Sequence, residues 1–325
     1  MGVTNKSLHF NQSNRRCTVL QSLKLCKLQI EEKLTKCSIL PLNHAFKKIF
    51  ERNDNLKVCL ENINNAKINK PNISSFLHGA LWQNKLRSVK SKINIPYFLY
   101  FDDLQVNDPL GSHTQSLGAF YYSFPALQNA SKLENIYLGG FIKSTDLKDY
   151  GNSVTMCYLI DKMNELAKDG ILINNIKVHF LLGLVVGDNL GLNGILDFSK
   201  SFASNYFCRF CTSHKLETQK QLNEDAENLR NIDNYKRHVA NADVSTTGIN
   251  NESIFNTIEQ FHVTHNFSLD FMHLFPEGIL HYDLSHILKY YIFNLKLFTL
   301  DELNRRKNVF NYGAIEADNM SKDIY

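Results

Sequence analysis

Three groups of residues in this 325-residue chain carry side chains whose types and spacing could do chemistry. The first is acidic: Asp102 or its neighbour Asp103, together with Asp188. Phosphodiester hydrolysis or strand transfer at neutral pH needs a deprotonated attacking oxygen and a stabilised leaving oxygen. Two divalent ions about 3.5 to 4 Å apart provide both. Such ions take hard oxygen ligands, so carboxylates are the required donors and Mg²⁺ or Mn²⁺ the expected metals. The competing reading is turn chemistry after a strand. The second group is Cys208-x-x-Cys211, whose gap gives two thiolates the bite of half a tetrahedral zinc site. His262, His265 and His273 are candidates for the other half, and plain thiols are the alternative. A thioredoxin-type role is disfavoured, because the pair does not open a helix after a βαβ unit. The third group is Asp270-x-x-His273, which a helix sets on one face at i and i+3 to orient a metal or a base. Its alternative is an acidic residue at an ordinary helix start.

The elements that must position these groups follow from periodicity. Residues 93–101 (INIPYFLYF) form a β-type run ending in Asp102-Asp103, and 117–127 and 133–142 read as two more strands. Their short links are those of an antiparallel meander. Residues 151–168 predict a helix with Met156, Cys157, Ile160, Met163 and Ala167 on one stripe. Residues 176–186 (IKVHFLLGLVV) are almost continuously apolar, as in a central strand covered on both faces, and stop at Gly187-Asp188. The class is therefore α+β, and the order β-β-β-α-β is the ribonuclease H-like topology. In it the first and fourth strands lie side by side, so Asp102 and Asp188 would converge on one edge. Asp103 is the alternative first ligand, and alternation along a strand allows only one of the two to face the site. A helix is expected from Leu190 towards Phe202. Beyond residue 212 the chain reads as mostly helical, at 253–260 and 277–297, with 221–251 a loop or loosely packed helix.

Composition bounds the class. At 43% hydrophobic and 21% charged residues the chain is a folded one, and its apolar runs are far shorter than the roughly 18 to 20 residues a membrane span needs. With no apolar signal region and seven cysteines, reduced thiols in a nuclear or cytosolic setting are expected. Residues 1–92 hold 17 Lys and Arg against 5 Asp and Glu, net +12, while the remainder is net −8, together the +4 of the whole. A basic front reads either as a nucleic-acid surface, where each neutralised phosphate releases a counterion, or as a solvated helical face. Helices are expected there at residues 20–34 and 43–63. The expected division is a basic helical region 1–92, an incomplete ribonuclease H-like core 93–205 and a helical insertion 206–325 carrying CxxC and DxxH.

Four ordered blocks then add a resemblance: YFDDLQVNDPLGSH at 100–113, GLVVGDNLGLNGILDF at 183–198, NYFCRFC at 205–211 and LDFMHLFPEGIL at 269–280. Together they resemble the transposases of the CACTA, or EnSpm, superfamily of cut-and-paste DNA transposons, over roughly residues 75–315. The layout is also similar to the V(D)J recombinase catalytic core. The resemblance implies a metal-dependent DDE enzyme with its first acid at Asp102, its second at Asp188, its paired cysteines at Cys208 and Cys211, and its Asp-x-x-His at Asp270 and His273. It implies DNA, as transposon ends and target, for a partner, with a homodimer left open and no membrane. In relatives the third acid, a Glu, follows the insertion near a Trp; the one Trp here is Trp82. The expectation is thus a chain shortened at its C-terminus with impaired catalysis, Glu277 being the in-chain substitute. The rival expectation is a non-catalytic DNA-binding or regulatory remnant.

Overall fold

The computed structural model describes residues 38–68, 73–89, 92–105 and 116–311. The helix expected at 20–34 lies outside them, as does the 106–113 part of the first block. The chain falls into two compact units, Met1–Leu269 and Asp270–Tyr325.

The first unit begins with β1 (Ser38–Ile39), α1 (Leu42–Phe50), α2 (Asn55–Ile68) and α3 (Ala80–Ser88). One helix expected at 43–63 is thus two, because Asn53 and Asp54 adopt left-handed backbone angles that no helix continues through. Then come β2 (Ile93–Gln105), β3 (Ser116–Ser123) and β4 (Tyr137–Lys143), antiparallel neighbours as the meander predicts. Helices α4 (Ser144–Tyr150), α5 (Asn152–Thr155) and α6 (Cys157–Lys168) lead to β5 (Ile171–Ile173) and β6 (Ile176–Gly187). Strand β5 is an addition to the expected order. It hairpins onto β6 through Asn174-Asn175, both at positive φ, the two-residue turn that matches strand twist. The chain continues through α7 (Asn189–Ile195), α8 (Lys215–Thr218), α9 (Ile232–Asn241), α10 (Val244–Thr247) and β7 (Phe267–Leu269).

The seven strands form one mixed open sheet in the order β1-β4-β3-β2-β6-β5, with β7 also on β6. Strands β2 and β6 run parallel and adjacent, Ile93 opposite Val178 through to Tyr100 opposite Val186. A bulge interrupts them: Tyr97 faces Leu182 and Phe98 faces Leu184, leaving Gly183 over. A Cβ on Gly183 would lie 2.9 Å from the Phe76 ring, which itself packs edge-on against Phe98 at 5.0 Å. The extra residue fits there because it has no side chain. One face of the sheet is held by Phe46 of α1, whose ring meets Tyr97, Tyr122, Phe124 and Phe180 at 4.8 to 5.3 Å. Helix α6 covers β6 with Leu159, Ile160, Met163 and Leu166 buried.

Residues 206–269 are less helical than expected. Apart from α9 they are short turns of helix and loop, fixed by caps and buried polar side chains rather than by a long apolar stripe. Asn231 and Asn234 cap α9 reciprocally, and the buried Tyr235 hydroxyl accepts from the Ser253 amide at 3.0 Å. The second unit is helical: α11 (Phe271–Leu274), a wider turn over Phe275–Ile279, α12 (Leu280–Lys289), a second wide turn over Tyr290–Asn294, and α13 (Leu300–Asn308). No helix among the described residues is long and apolar enough to cross a membrane.

Candidate active site at the edge of the parallel strands

The β2–β6 ladder sets the two acidic candidates. Two residues beyond Tyr100 is Asp102, and two beyond its partner Val186 is Asp188. The backbone positions of Asp102 and Asp188 therefore come level at the same end of neighbouring parallel strands, where strand spacing is about 4.8 Å. The strand does not end at the acids as the sequence suggests: β2 runs on to Gln105, because Asp102 and Asp103 pair with Ala119 and Gly118 of β3. Asp102 is exposed. Asp103 falls on the other face, as alternation requires, and there accepts a hydrogen bond from the Ser144 hydroxyl at 2.8 Å.

Asp188 is the N-cap of α7. One of its oxygens accepts from the Gly191 amide at 2.5 Å, which fixes the side chain and leaves the other oxygen for a ligand. The residue at 191 has to be glycine for this: a Cβ there would stand 2.6 Å from that same Asp188 oxygen. Past the opposite end of α7, Asp197 is buried at positive φ, and burial pushes its carboxyl up to about 6. A hard divalent ion that keeps several waters and meets substrate phosphate needs only one or two protein carboxylates, so Asp102 and Asp188 are of the donor type that Mg²⁺ or Mn²⁺ takes. Among the described residues no group of three or more His, Cys, Asp or Glu side chains stands close enough to hold an ion.

Cys208 and Cys211 are both free thiols, three positions apart in one turn. The Cys208 thiol donates to Cys211, and with the amide and hydroxyl of Ser213 this pulls the Cys211 thiol well below its ordinary value while Cys208 is pushed up. The turn is tied to residues 228–230 by Thr212 N–H to Asn228 O and Arg230 N–H to Phe210 O, each 2.8 Å, and by Arg230 Nε to Cys208 O at 2.9 Å. The pair offers half of a zinc site. His262 and His265 lie elsewhere in the same unit: the His262 ring packs edge-on to Tyr235 at 5.1 Å, its Nδ1 is bonded to Thr264 Oγ1 at 2.8 Å, and burial pulls it down to about 4.

In the second unit Asp270 caps α11, accepting from Met272 N–H at 2.9 Å, while its other oxygen meets His273 Nδ1 at 2.6 Å. His273 Nε2 lies 3.9 Å from Glu277. Asp270-x-x-His273 is therefore both a helix start and a bonded acid–imidazole pair, with Glu277 one turn on.

Sequence reasoning passed over Arg209, the second residue of the CRFC turn. It is 3% exposed, and its guanidinium bonds Asn189 and Asn193 of α7. A basic residue inside a paired-cysteine turn was the available signal. Compared with known proteins, the chain matches no protein-family model and no curated protein sequence.

Proposed function

We propose that this chain is a ribonuclease H-like DNA strand-transfer protein of the transposase type, acting in the nucleus on transposon ends and target DNA. The observation that supports this most is the β2–β6 register, which sets the backbone of Asp102 level with that of Asp188 at the same end of adjacent parallel strands. Order also supports it: the acids, the paired cysteines and the Asp-x-x-His follow one another as in the transposases the sequence resembles.

Asp102 and Asp188 would hold Mg²⁺ or Mn²⁺, which when bound neutralise charge on the attacking and leaving oxygens. The Gly191 amide holds Asp188 in one orientation, and pairing with Ala119 of β3 holds the backbone of Asp102. In the first step a water oxygen attacks the phosphorus at the transposon end, the bond to the 3′ oxygen breaks, and that oxygen takes up a proton. In the second the freed 3′ hydroxyl loses its proton and attacks a target phosphodiester, displacing the target's own 3′ oxygen. Neither step needs an oxidant or a second nucleophile from the protein.

The test is nicking of supercoiled plasmid in Mg²⁺ or Mn²⁺, with Asp102→Ala and Asp188→Ala beside the unaltered chain. The expected result is weak metal-dependent nicking, in keeping with the impaired catalysis that a missing third acid implies, which both substitutions abolish. Equal signal in all three proteins overturns the enzymatic reading. Salt-sensitive DNA binding without nicking would leave a DNA-binding remnant instead.

A further inference from the structure

Arg209 is a buried cation with no carboxylate in direct contact among its hydrogen-bond partners. Its Nη1 donates to Asn193 Oδ1 at 2.8 Å and to Asn189 O at 3.4 Å, and its Nη2 to Asn189 Oδ1 at 2.9 Å. Its guanidinium carbon lies 5.2 Å from the ring centre of Phe210 and 5.1 Å from that of Phe267 of β7, two rings that themselves meet at 4.9 Å. Asn193, 1% exposed, passes the connection on by donating to Ser199 O at 2.7 Å. Nε has no partner among the described residues although it is buried. Asp188 is the carboxylate whose charge Arg209 feels.

A guanidinium taken out of water costs several kcal/mol, and a helix of seven residues does not need one to be stable. What this guanidinium does is join three pieces of chain at one point: the first turns of α7, whose cap is Asp188, the cysteine turn, and β7. We infer that Arg209 is the positioning residue for Asp188, its planar fork fixing the first turn of α7 so that the carboxylate keeps one orientation at the strand edge. The Cys208–Cys211 turn then has a structural task, presenting Arg209 to α7. This rests on Asp188 being a metal carboxylate. Partners of this kind, one shell out from a ligand, govern metal affinity through orientation.

Arg209→Lys separates position from charge, since Lys keeps the cation and loses the fork. The measurement is Mn²⁺ titration followed by electron paramagnetic resonance, with the melting temperature of the metal-free protein taken in parallel. Arg209→Lys is expected to weaken Mn²⁺ binding about tenfold. Asn189→Ala, which removes one partner of the fork from a half-buried position, is expected to weaken it in the same direction with little change in melting temperature. Its role is to keep the question decidable where Arg209→Lys does not fold. Asp188→Ala is the control for the underlying reading. Undiminished Mn²⁺ binding in Asp188→Ala overturns the assignment of Asp188, and the inference with it. Binding lost in Asp188→Ala but unchanged in Arg209→Lys or Asn189→Ala, whatever the melting temperature, overturns the role of Arg209 alone.

Discussion

The two pairs of candidate ligands in the first unit are built in opposite ways. Asp102 and Asp188 are far apart in the chain and come level because a parallel ladder aligns their strands, with the aromatic core around Phe46 behind it. Cys208 and Cys211 are three residues apart and meet through a local turn, tied down by Arg230 and by short backbone bonds to residues 228–230. The acids keep open valences, Asp102 exposed and Asp188 with one oxygen unspent, whereas the thiols spend theirs on each other. The ladder thus presents ligands outward, and the turn uses its pair inward. The difference teaches that a long-range pair can keep its side chains open where a local, more conspicuous motif ties its own down.

The comparison can be broken at the core, at the cap and at the turn, in falling order of effect. Phe46→Ala removes the ring that four aromatic side chains share, and should cost about 3 to 5 kcal/mol by urea denaturation. A loss under about 1 kcal/mol would mean that the sheet does not depend on this core. Gly191→Ala is subtler. Alanine gains about 1 kcal/mol of helix propensity and forfeits a cap worth about the same, so stability should barely move. Its Cβ nevertheless displaces the Asp188 oxygen, so Mn²⁺ binding should fall. Unchanged Mn²⁺ binding in a folded Gly191→Ala protein would show that the cap does not set the ligand.

The smallest effect belongs to the turn. Ultraviolet titration of the thiolates should place Cys211 below the ordinary thiol value of about 8.5, and Cys208→Ala, by removing the donor, should move it up towards that value. The sign for stability follows: a thiol lowered in the folded state stabilises at pH above the unfolded value, and that contribution fades as pH falls through the folded one. A Cys211 midpoint indifferent to Cys208→Ala would remove the inward-facing half of the comparison.

Much of the sheet was legible because period does not depend on context. The apolar run at 176–186 had to be an inner strand, and the stripe at 156–167 had to lie on it; Met156, Ile160, Met163 and Ala167 are buried, and Cys157 is half-buried. The register that brings Asp102 level with Asp188 followed from topology and not from spacing, since nothing local fixes where one strand stands against another. Strand β5 and the hairpin at Asn174-Asn175 escaped because three residues carry too little alternation. Outside 221–251, which reads as loop or loosely packed helix, residues 206–269 are less helical than their pattern suggests, because their order comes from buried polar side chains, among them Arg209 and Arg230, whose partners Asn193 and Thr247 are distant in sequence. Pattern reading finds faces; it does not find a cation that holds three loops together.

The most direct test of the strand-edge site is anomalous diffraction from crystals of the protein grown with Mn²⁺. The account predicts a manganese peak bridged by the carboxylates of Asp102 and Asp188, absent in crystals of Asp188→Ala. Manganese bound elsewhere, with those two carboxylates turned apart, would contradict it.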